Sequence, residues 1–106
     1  MAASYLKDAG YQILARNYRV ASGEIDLIVS KDGYLIFVEV KYRSNSRYGS
    51  AAVTPVKQRQ ISRVALYYMK RYGYDPYNTP VRFDVVAVAE NEIHHMKDAF
   101  PYQGYY

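Results

Sequence analysis

The sequence predicts an α/β domain in which helices cover both sides of a β-sheet. The stretch from Gly23 to Lys41 alternates apolar and polar residues and contains Asp32-Gly33, the dipeptide typical of a type I′ hairpin turn. An amphipathic helical pattern begins at Thr54-Pro55, a good N-cap followed by a proline at the first helical position. Both faces of the hairpin carry apolar residues: Ile25, Leu27, Val29, Ile36, Val38 and Val40 on one, and Ile28, Leu35 and Phe37 on the other. A sheet with two apolar faces needs cover on each side.

The elements before the hairpin are a short helix and a strand. Residues from about Ala2 to Ala9 have a helical pattern, and Gly10 is placed to end it. Tyr11 to about Val20 alternates as a first strand, and Ala21-Ser22-Gly23 turns the chain into the hairpin.

The elements after the hairpin complete an αβββαβ order. Arg43 to Val53 is rich in Ser, Asn and Gly and is predicted to be a loop. The helix from Thr54-Pro55 runs to about Tyr72, with Gly73 after it, and buries a stripe of five residues: Ile61, Val64, Ala65, Tyr68 and Met69. A loop from Tyr74 to Pro80 leads to a nearly all-apolar strand, Val81 to Ala89, which we expect to be central or covered on both faces. A short last strand, Glu92 to Met96, and an aromatic tail that packs in part, Phe100 to Tyr106, follow.

Length and composition limit the class of protein. The 106 residues suit one domain, 1–106, and half of them are apolar, which is typical of a globular chain. There is no cysteine, which excludes disulfides and thiolate zinc sites. No apolar run approaches the ~18–20 residues of a membrane span, and the first residues lack the layout of a signal peptide. We therefore expect a cytoplasmic protein that does not enter a membrane.

The hairpin turn predicts a cluster of charged side chains on one face of the sheet. If Asp32 and Gly33 form the loop, Asp26 lies opposite Glu39 and Glu24 lies opposite Lys41. Residues directly opposite each other have Cβ atoms about 4.5–5.5 Å apart. A loop of three or four residues would shift this pairing.

Two opposed carboxylates repel each other unless a cation offsets their charge. A hard cation such as Mg²⁺ takes one or two protein carboxylates and keeps positions for water and phosphate. The alternative is an exposed hairpin face on which Glu24 and Lys41 form a weak surface pair.

A basic block predicts a polyanionic partner. Residues 42–71 contain seven Lys or Arg and no acid, whereas the rest of the chain, Lys41 aside, has six basic and ten acidic residues. Such one-sided charge indicates nucleic acid, although it also occurs on solvated helix faces. Three of the fourteen tyrosines, Tyr42, Tyr48 and Tyr67, lie among these cations, where they could contact phosphates or stack on bases.

Other polar residues allow two interpretations each. Lys57 lies four residues before Ile61, so it either extends from the apolar stripe to solvent or supplies a second cation to the site, with Gln58 and Gln60 as further candidates. Asp84 could be a third site acid, but we favour a structural pair with Arg82 or another cation. His94 and His95 are adjacent and point to opposite faces, which makes them poor partners for one metal ion.

The order of sequence blocks identifies a family resemblance. Asp26 followed by Glu39-Val40-Lys41 resembles the D…(D/E)xK motif of restriction-endonuclease-like nucleases. Five blocks in order resemble the YraN-like family of small bacterial proteins, thought to be related to archaeal Holliday junction resolvases: Gly10–Leu14, Arg16–Arg19, Gly23–Ile28, Phe37–Lys41 and Arg82–Val86.

The resemblance implies a restriction-endonuclease-like αβββαβ core with a mixed central sheet, a helix on each side and a short C-terminal strand. It implies that Asp26, Glu39 and the backbone carbonyl of Val40 hold Mg²⁺ or Mn²⁺, while Lys41 orients the attacking water or neutralises developing charge. Glu24 would position Lys41, and Lys57 would assist. The basic loop and helix would bind nucleic acid, DNA rather than RNA, through Arg43, Arg47, Lys57, Arg59 and Arg63. By analogy with the resolvases we expect a homodimer and branched DNA.

One departure concerns the first helix. The family usually carries a Gly-Glu pair ahead of the block that Ala3, Tyr5 and Leu6 match, and that glutamate is an expected further site acid. The present sequence begins after it, so we expect either a shortened start or a member without this acid.

Three hypotheses follow. The first is a metal-dependent endonuclease that hydrolyses phosphodiester bonds, and the second is a nucleic-acid-binding module with a degenerate nuclease site. The third is a partner-binding protein whose basic face meets an acidic protein.

Overall fold

The αβββαβ order predicted from the sequence is confirmed, with a fifth strand at the end. A computed structural model describes residues 1–43 and 53–104. Its elements are α1 (Ala2–Asp8), β1 (Gln12–Val20), β2 (Gly23–Lys31), β3 (Tyr34–Arg43), α2 (Pro55–Arg71), β4 (Val81–Ala89) and β5 (Glu92–Met96). Most of the loop predicted from Arg43 to Val53 and the last two tail residues lie outside the described residues. Neither described helix has the length and apolarity needed to cross a bilayer.

The five strands form one mixed sheet in the order β1-β2-β3-β4-β5. β3 and β4 are parallel, and the other neighbouring pairs are antiparallel. A parallel pair needs a crossover connection, and α2 lies between β3 and β4 in the chain. This crossover carries the N-terminus of α2 back toward the hairpin.

The hairpin turn has the predicted conformation. Asp32 and Gly33 have φ values of 53° and 83°, the positive pair that a type I′ turn requires. The two strands pair in the predicted register from Lys31–Tyr34 to Leu27–Val38.

Each face of the sheet is covered by one helix, as predicted. The stripe of α2 packs against Ile28, Leu35, Phe37 and Phe83, and Phe100 from the tail joins this cluster. On the opposite face, Leu6 of α1 packs with Leu27, Val29, Ile36 and Val38. Strand β4 contributes buried residues to both clusters, which agrees with its nearly continuous apolar sequence.

Strict alternation along β2 was a wrong expectation. Ile25 lies in the α2 cluster, whereas Leu27 lies in the α1 cluster, although alternation would place them on the same face. The interruption lies where Asn17 of β1 has φ of 50°, between the pairs Arg16–Leu27 and Tyr18–Ile25. The register of β1 against β2 is the same on either side of Asn17, and the register shift of this strand pair lies between Ile13 and Ala15. Asp26 lies at this interruption.

A buried polar network on the α1 face contains Asp84 and one of the two histidines. Arg82 donates to both Asp84 oxygens at 2.9 Å, and His95 Nε2 donates to Oδ2 at 2.7 Å. Tyr5 of α1 lies 3.0 Å from His95 Nδ1 through its hydroxyl, so the network ties α1 to β4 and β5. Burial would raise the pKa of Asp84, but the hydrogen bonds from His95 and Arg82 and the backbone N–H of Asp98 outweigh burial and lower it.

The structural role predicted for Asp84 agrees with this network. Its carboxylate is engaged with Arg82, as the sequence suggested, and with His95 as well. His94 is exposed, whereas the His95 side chain is only 4% exposed, so the two adjacent histidines lie in different environments, as expected.

Candidate active site

Asp26 and Glu39 are brought together at the end of the β2–β3 pairing. The paired residues run as far as Leu27–Val38, and Asp26 and Glu39 are next along their strands. The backbone N–H of Val40 donates to Asp26 Oδ2 at 2.8 Å, so a side chain occupies the place of a strand partner. The Asp26 carboxyl also lies within hydrogen-bonding reach of the Glu39 carboxyl.

Glu39 is a buried acid in an unfavourable electrostatic position. Its side chain is only 10% exposed. Burial and then the neighbouring charge of Asp26 raise the pKa of Glu39 from 4.5 to about 7, although the charges of Lys57 and Lys41 act in the opposite direction. Near neutral pH the acid pair therefore retains a proton for part of the time, and a cation beside it would release that proton.

The charges of two lysines act on Glu39. Lys41 Nζ lies 3.8 Å from Glu39 Oε2 and comes from the same strand. Lys57 comes from the first turn of α2, where the Thr54 hydroxyl accepts a hydrogen bond from its N–H and fixes the helix start. The charge of Lys57 lowers the pKa of Glu39, which agrees with its interpretation as a second cation for the site.

The predicted partner of Glu24 is wrong. Glu24 forms an ion pair with Arg19 at 3.0 Å, across the β1–β2 pairing, and Lys41 lies beside Glu39 instead. The hairpin register would have brought Glu24 to Lys41, but the β2–β3 pairing does not extend to that position in the described pairs. Glu24 therefore positions Arg19 and not Lys41.

The predicted nucleic-acid residues of α2 line a basic cleft. Lys57, Arg59 and Arg63 border a cleft of about 490 Å³ together with Ser22 and Gln60. Arg59 and Arg63 are exposed and Lys57 is half-buried. Arg43 ends β3, but its side chain and all of Arg47 lie outside the described residues.

The oxygen ligands available at this site suit a hard cation that takes only one or two of its ligands from the protein. Asp26 and Glu39 offer carboxylate oxygens, the ligands that Mg²⁺ and Mn²⁺ prefer, and Mg²⁺ is commonly held by one or two protein carboxylates plus water and phosphate. Over residues 1–43 and 53–104, no group of three or more His, Cys, Asp or Glu converges as a metal cluster. The contact that Val40 makes with Asp26 uses its N–H, and the role of its carbonyl as a third ligand stays a prediction.

Asn17 is the residue near this site that sequence reasoning missed. Together with Arg16, Asp26, Val40 and Tyr42 it lines a second cleft, on the α1 side, of about 410 Å³. The one available signal was an Asn within a strand pattern, because Asn adopts left-handed backbone more readily than most residues.

Comparison with known proteins gives a consistent family. The family model described as "Uncharacterised protein family UPF0102" matches residues 1–88. A UPF0102 protein of Lachnoclostridium phytofermentans is 50% identical over 105 residues, which cover 97% of this chain and 88% of the relative. Another, of Syntrophus aciditrophicus, is 47% identical over 106 residues and covers 94% and 82%, and one of Symbiobacterium thermophilum is 53% identical over 89 residues and covers 82% and 74%.

Proposed function

The chain belongs to the uncharacterised protein family UPF0102, and from the chemistry of its acid pair we propose that it is a metal-dependent endonuclease that hydrolyses phosphodiester bonds of nucleic acid. The observation that carries this proposal is the burial of Glu39 against a second carboxylate, Asp26, beside two lysines. Such an arrangement costs stability unless it serves a ligand, and perturbed acids of this kind concentrate at functional sites.

Asp26 and Glu39 would hold one Mg²⁺ or Mn²⁺ ion. When bound, the ion would polarise the scissile phosphate and lower the pKa of an attacking water. The Val40 N–H holds Asp26 in place beside Glu39.

Lys41 and Lys57 stabilise negative charge on the phosphate. Lys41 approaches Glu39 from β3, and Lys57 approaches from α2, so a phosphate at the acids meets cations from two elements. Preorganised cations at a developing charge account for a large share of catalysis in phosphate chemistry. The ion pair with Glu39 keeps Lys41 in position. Because the two charged groups are 3.8 Å apart, the ammonium group of Lys41 can still interact with a phosphate.

The basic cleft on α2 supports binding of the nucleic-acid backbone. Lys57, Arg59 and Arg63 contribute three cations of α2 to this cleft, and the charge of Lys57 lowers the pKa of Glu39. Contacts of this type give salt-dependent and largely sequence-independent affinity. DNA as the substrate, its branched shape and a homodimer rest on the resemblance to resolvases, which is fold-level analogy. A DNA nuclease of a bacterial cell would act in the cytoplasm.

A nucleic-acid-binding module without turnover is the second candidate. One observation favours it: in the described part of the chain, no third His, Cys, Asp or Glu joins the two carboxylates of the acid pair. The basic cleft would serve this function equally.

Cleavage assays separate the two candidates. Labelled linear duplex, single-stranded and four-way-junction DNA are incubated with Mg²⁺ or Mn²⁺ and with wild type, Asp26→Ala or Glu39→Ala. We expect metal-dependent products that both variants lose while their gel shifts remain. Asp8→Ala, which removes an exposed acid at the end of α1, is the matched control and keeps activity. Products that survive both site variants would refute the nuclease, and a salt-sensitive gel shift without products would favour the binding module.

A further inference from the structure

The cleft on the α1 side of the acid pair differs in chemistry from the basic cleft on α2. Arg16 and Tyr42 line it beside Asp26, and the start of α1 closes one side. Among residues 1–43 and 53–104, the lining of the α2 cleft has three cations and no aromatic residue, whereas that of the α1 cleft joins one arginine to one tyrosine. The two clefts therefore suit different parts of a nucleic acid.

Tyr42 is a largely exposed aromatic residue next to the acids. It is 66% exposed and lies two residues after Val40, whose N–H holds Asp26. Stacking of a base on an aromatic side chain is favourable for unpaired bases, because bases within a duplex already stack on both faces. A tyrosine at this position therefore favours a nucleotide that has left the duplex.

Arg16 and Asn17 supply the polar contacts that such a nucleotide needs. Arg16 is exposed and can bind a phosphate in a bidentate manner. Asn17 is exposed, and its amide can both donate to and accept from a base edge. Its φ of 50° is left-handed backbone within a strand, beside Asp26, and unusual backbone of this kind is found at ligand sites.

The size of the cleft fits one nucleotide. Its volume of about 410 Å³ lies near the lower end of the range for small-molecule pockets, about 300–1,000 Å³. Asp26 belongs to its lining, so a nucleotide bound there is adjacent to the proposed metal ligands.

We propose that the α1 cleft is a subsite for one unpaired nucleotide next to the scissile phosphate, with its base stacked on Tyr42, its phosphate on Arg16 and its base edge near Asn17. This inference rests on the proposed nuclease function and narrows its substrate to nucleic acid that is unpaired at the cleavage point. The duplex portion lies along the basic cleft of α2, on the other side of the acids.

Binding without metal tests the subsite independently of cleavage. Fluorescein-labelled blunt duplex and the same duplex with a single-stranded overhang are titrated in EDTA. We expect wild type to bind the overhang duplex about tenfold more tightly, within the range of about 5- to 150-fold that one stacked base provides. Tyr42→Ala and Arg16→Gln should each remove most of this preference without changing blunt-duplex affinity, and Tyr42→Phe should retain it.

Matched controls and a second signal make the test decisive. Tyr77→Ala removes a tyrosine that is 95% exposed, and Arg19→Gln removes an exposed arginine of the same strand as Arg16; both should keep the preference. An overhang carrying 2-aminopurine should lose fluorescence on binding to wild type and not on binding to Tyr42→Ala. Circular dichroism establishes that each variant is folded, and Arg16→Gln provides the test if Tyr42→Ala is not.

The outcomes also separate this inference from the nuclease proposal. Equal affinity of wild type for blunt and overhang duplex, or equal weakening of both by Tyr42→Ala, would overturn the subsite even if cleavage is observed. A strong overhang preference that depends on Tyr42, together with no cleavage of any substrate, would support the subsite in a binding module and refute the nuclease.

Discussion

Replacing Glu39 by glutamine should stabilise the metal-free protein at neutral and alkaline pH. The pKa of Glu39 is about 7 in the folded protein, compared with 4.5 as its ordinary value. Below pH 4.5 both folded and unfolded states hold the proton, so the acid costs nothing there. As the pH rises from 4.5 to 7, Glu39 loses its proton in the unfolded state but retains it in the folded state. Folding in this pH range must therefore either take up a proton at Glu39 or bury it as an ionised acid. The rise in pKa corresponds to about 3 kcal/mol of stability lost above pH 7, and glutamine avoids that loss.

Urea unfolding in EDTA at pH 4, 6 and 8 measures this effect. We expect wild type and Glu39→Gln to have equal free energies of unfolding, within about 0.5 kcal/mol, at pH 4. The variant should be more stable by about 3 kcal/mol at pH 8, with a smaller difference at pH 6. Glu24→Gln is the matched control, because Glu24 lies on the same strand pair with an exposed partner, Arg19, and should lose at most about 1 kcal/mol.

A pH-independent difference between wild type and Glu39→Gln would refute this account of the acid pair. So would a variant that is less stable than wild type at pH 8. Repeating the pH 8 experiment with Mn²⁺ extends the test, since a ligand at 100 times its Kd stabilises the folded state by about 2.7 kcal/mol. Wild type should gain that stability and Glu39→Gln should not.

Three further predictions concern the α1 network, the α2 start and the basic cleft. Asp84→Asn should lower the free energy of unfolding by about 3–5 kcal/mol, because it leaves Arg82 beside a neutral partner at a buried position; a loss below about 1 kcal/mol in urea unfolding at pH 7 would contradict this. Because the pKa of Asp84 is lowered, its stabilisation should be present at neutral pH and disappear as the pH falls through that lowered value, whereas Asp84→Asn should show a flatter acid limb. Thr54→Ala should lower the free energy of unfolding by about 1 kcal/mol, because it removes the N-cap hydrogen bond from the Lys57 N–H. Thr54→Ser keeps a hydroxyl at this position and should retain the wild-type stability in thermal unfolding. Arg63→Gln should reduce the slope of log K against log salt for duplex DNA by about 0.9, whereas Lys97→Gln, which removes an exposed cation near β5, should leave the slope unchanged.

The hairpin shows how much of the fold follows from local sequence. A two-residue turn with Asp32-Gly33 fixes the register, and the pairs from Lys31–Tyr34 to Leu27–Val38 have it. The helices, the apolar stripe of α2 and the cover on both faces follow in the same way, because they depend on periodicity and caps within one segment.

The details of the site depend on contacts between segments, which local patterns do not contain. The register of the hairpin alone predicts that Glu24 lies opposite Lys41. In the structure Glu24 forms its ion pair with Arg19 of β1 instead. Ile25 changes face next to the point where Asn17, on a different strand, is left-handed, and the sequence of β2 alone does not contain this change. The effect of Lys57 on the pKa of Glu39 depends on how α2 docks, so the sequence left both interpretations of Lys57 open.

The sheet order also sets the sequence of events by which the site is assembled during synthesis. Strands β1, β2 and β3 are neighbours in both chain and sheet, so they can pair as soon as they leave the ribosome. The parallel partner of β3 and the docked α2 require residues up to Ala89, which at about 5–20 residues per second emerge ~2–10 s later. Asp26 and Glu39 therefore meet before the cations of α2 arrive. A nascent chain of this length holds the acids without the basic cleft of α2, and the complete candidate site exists only in the finished fold.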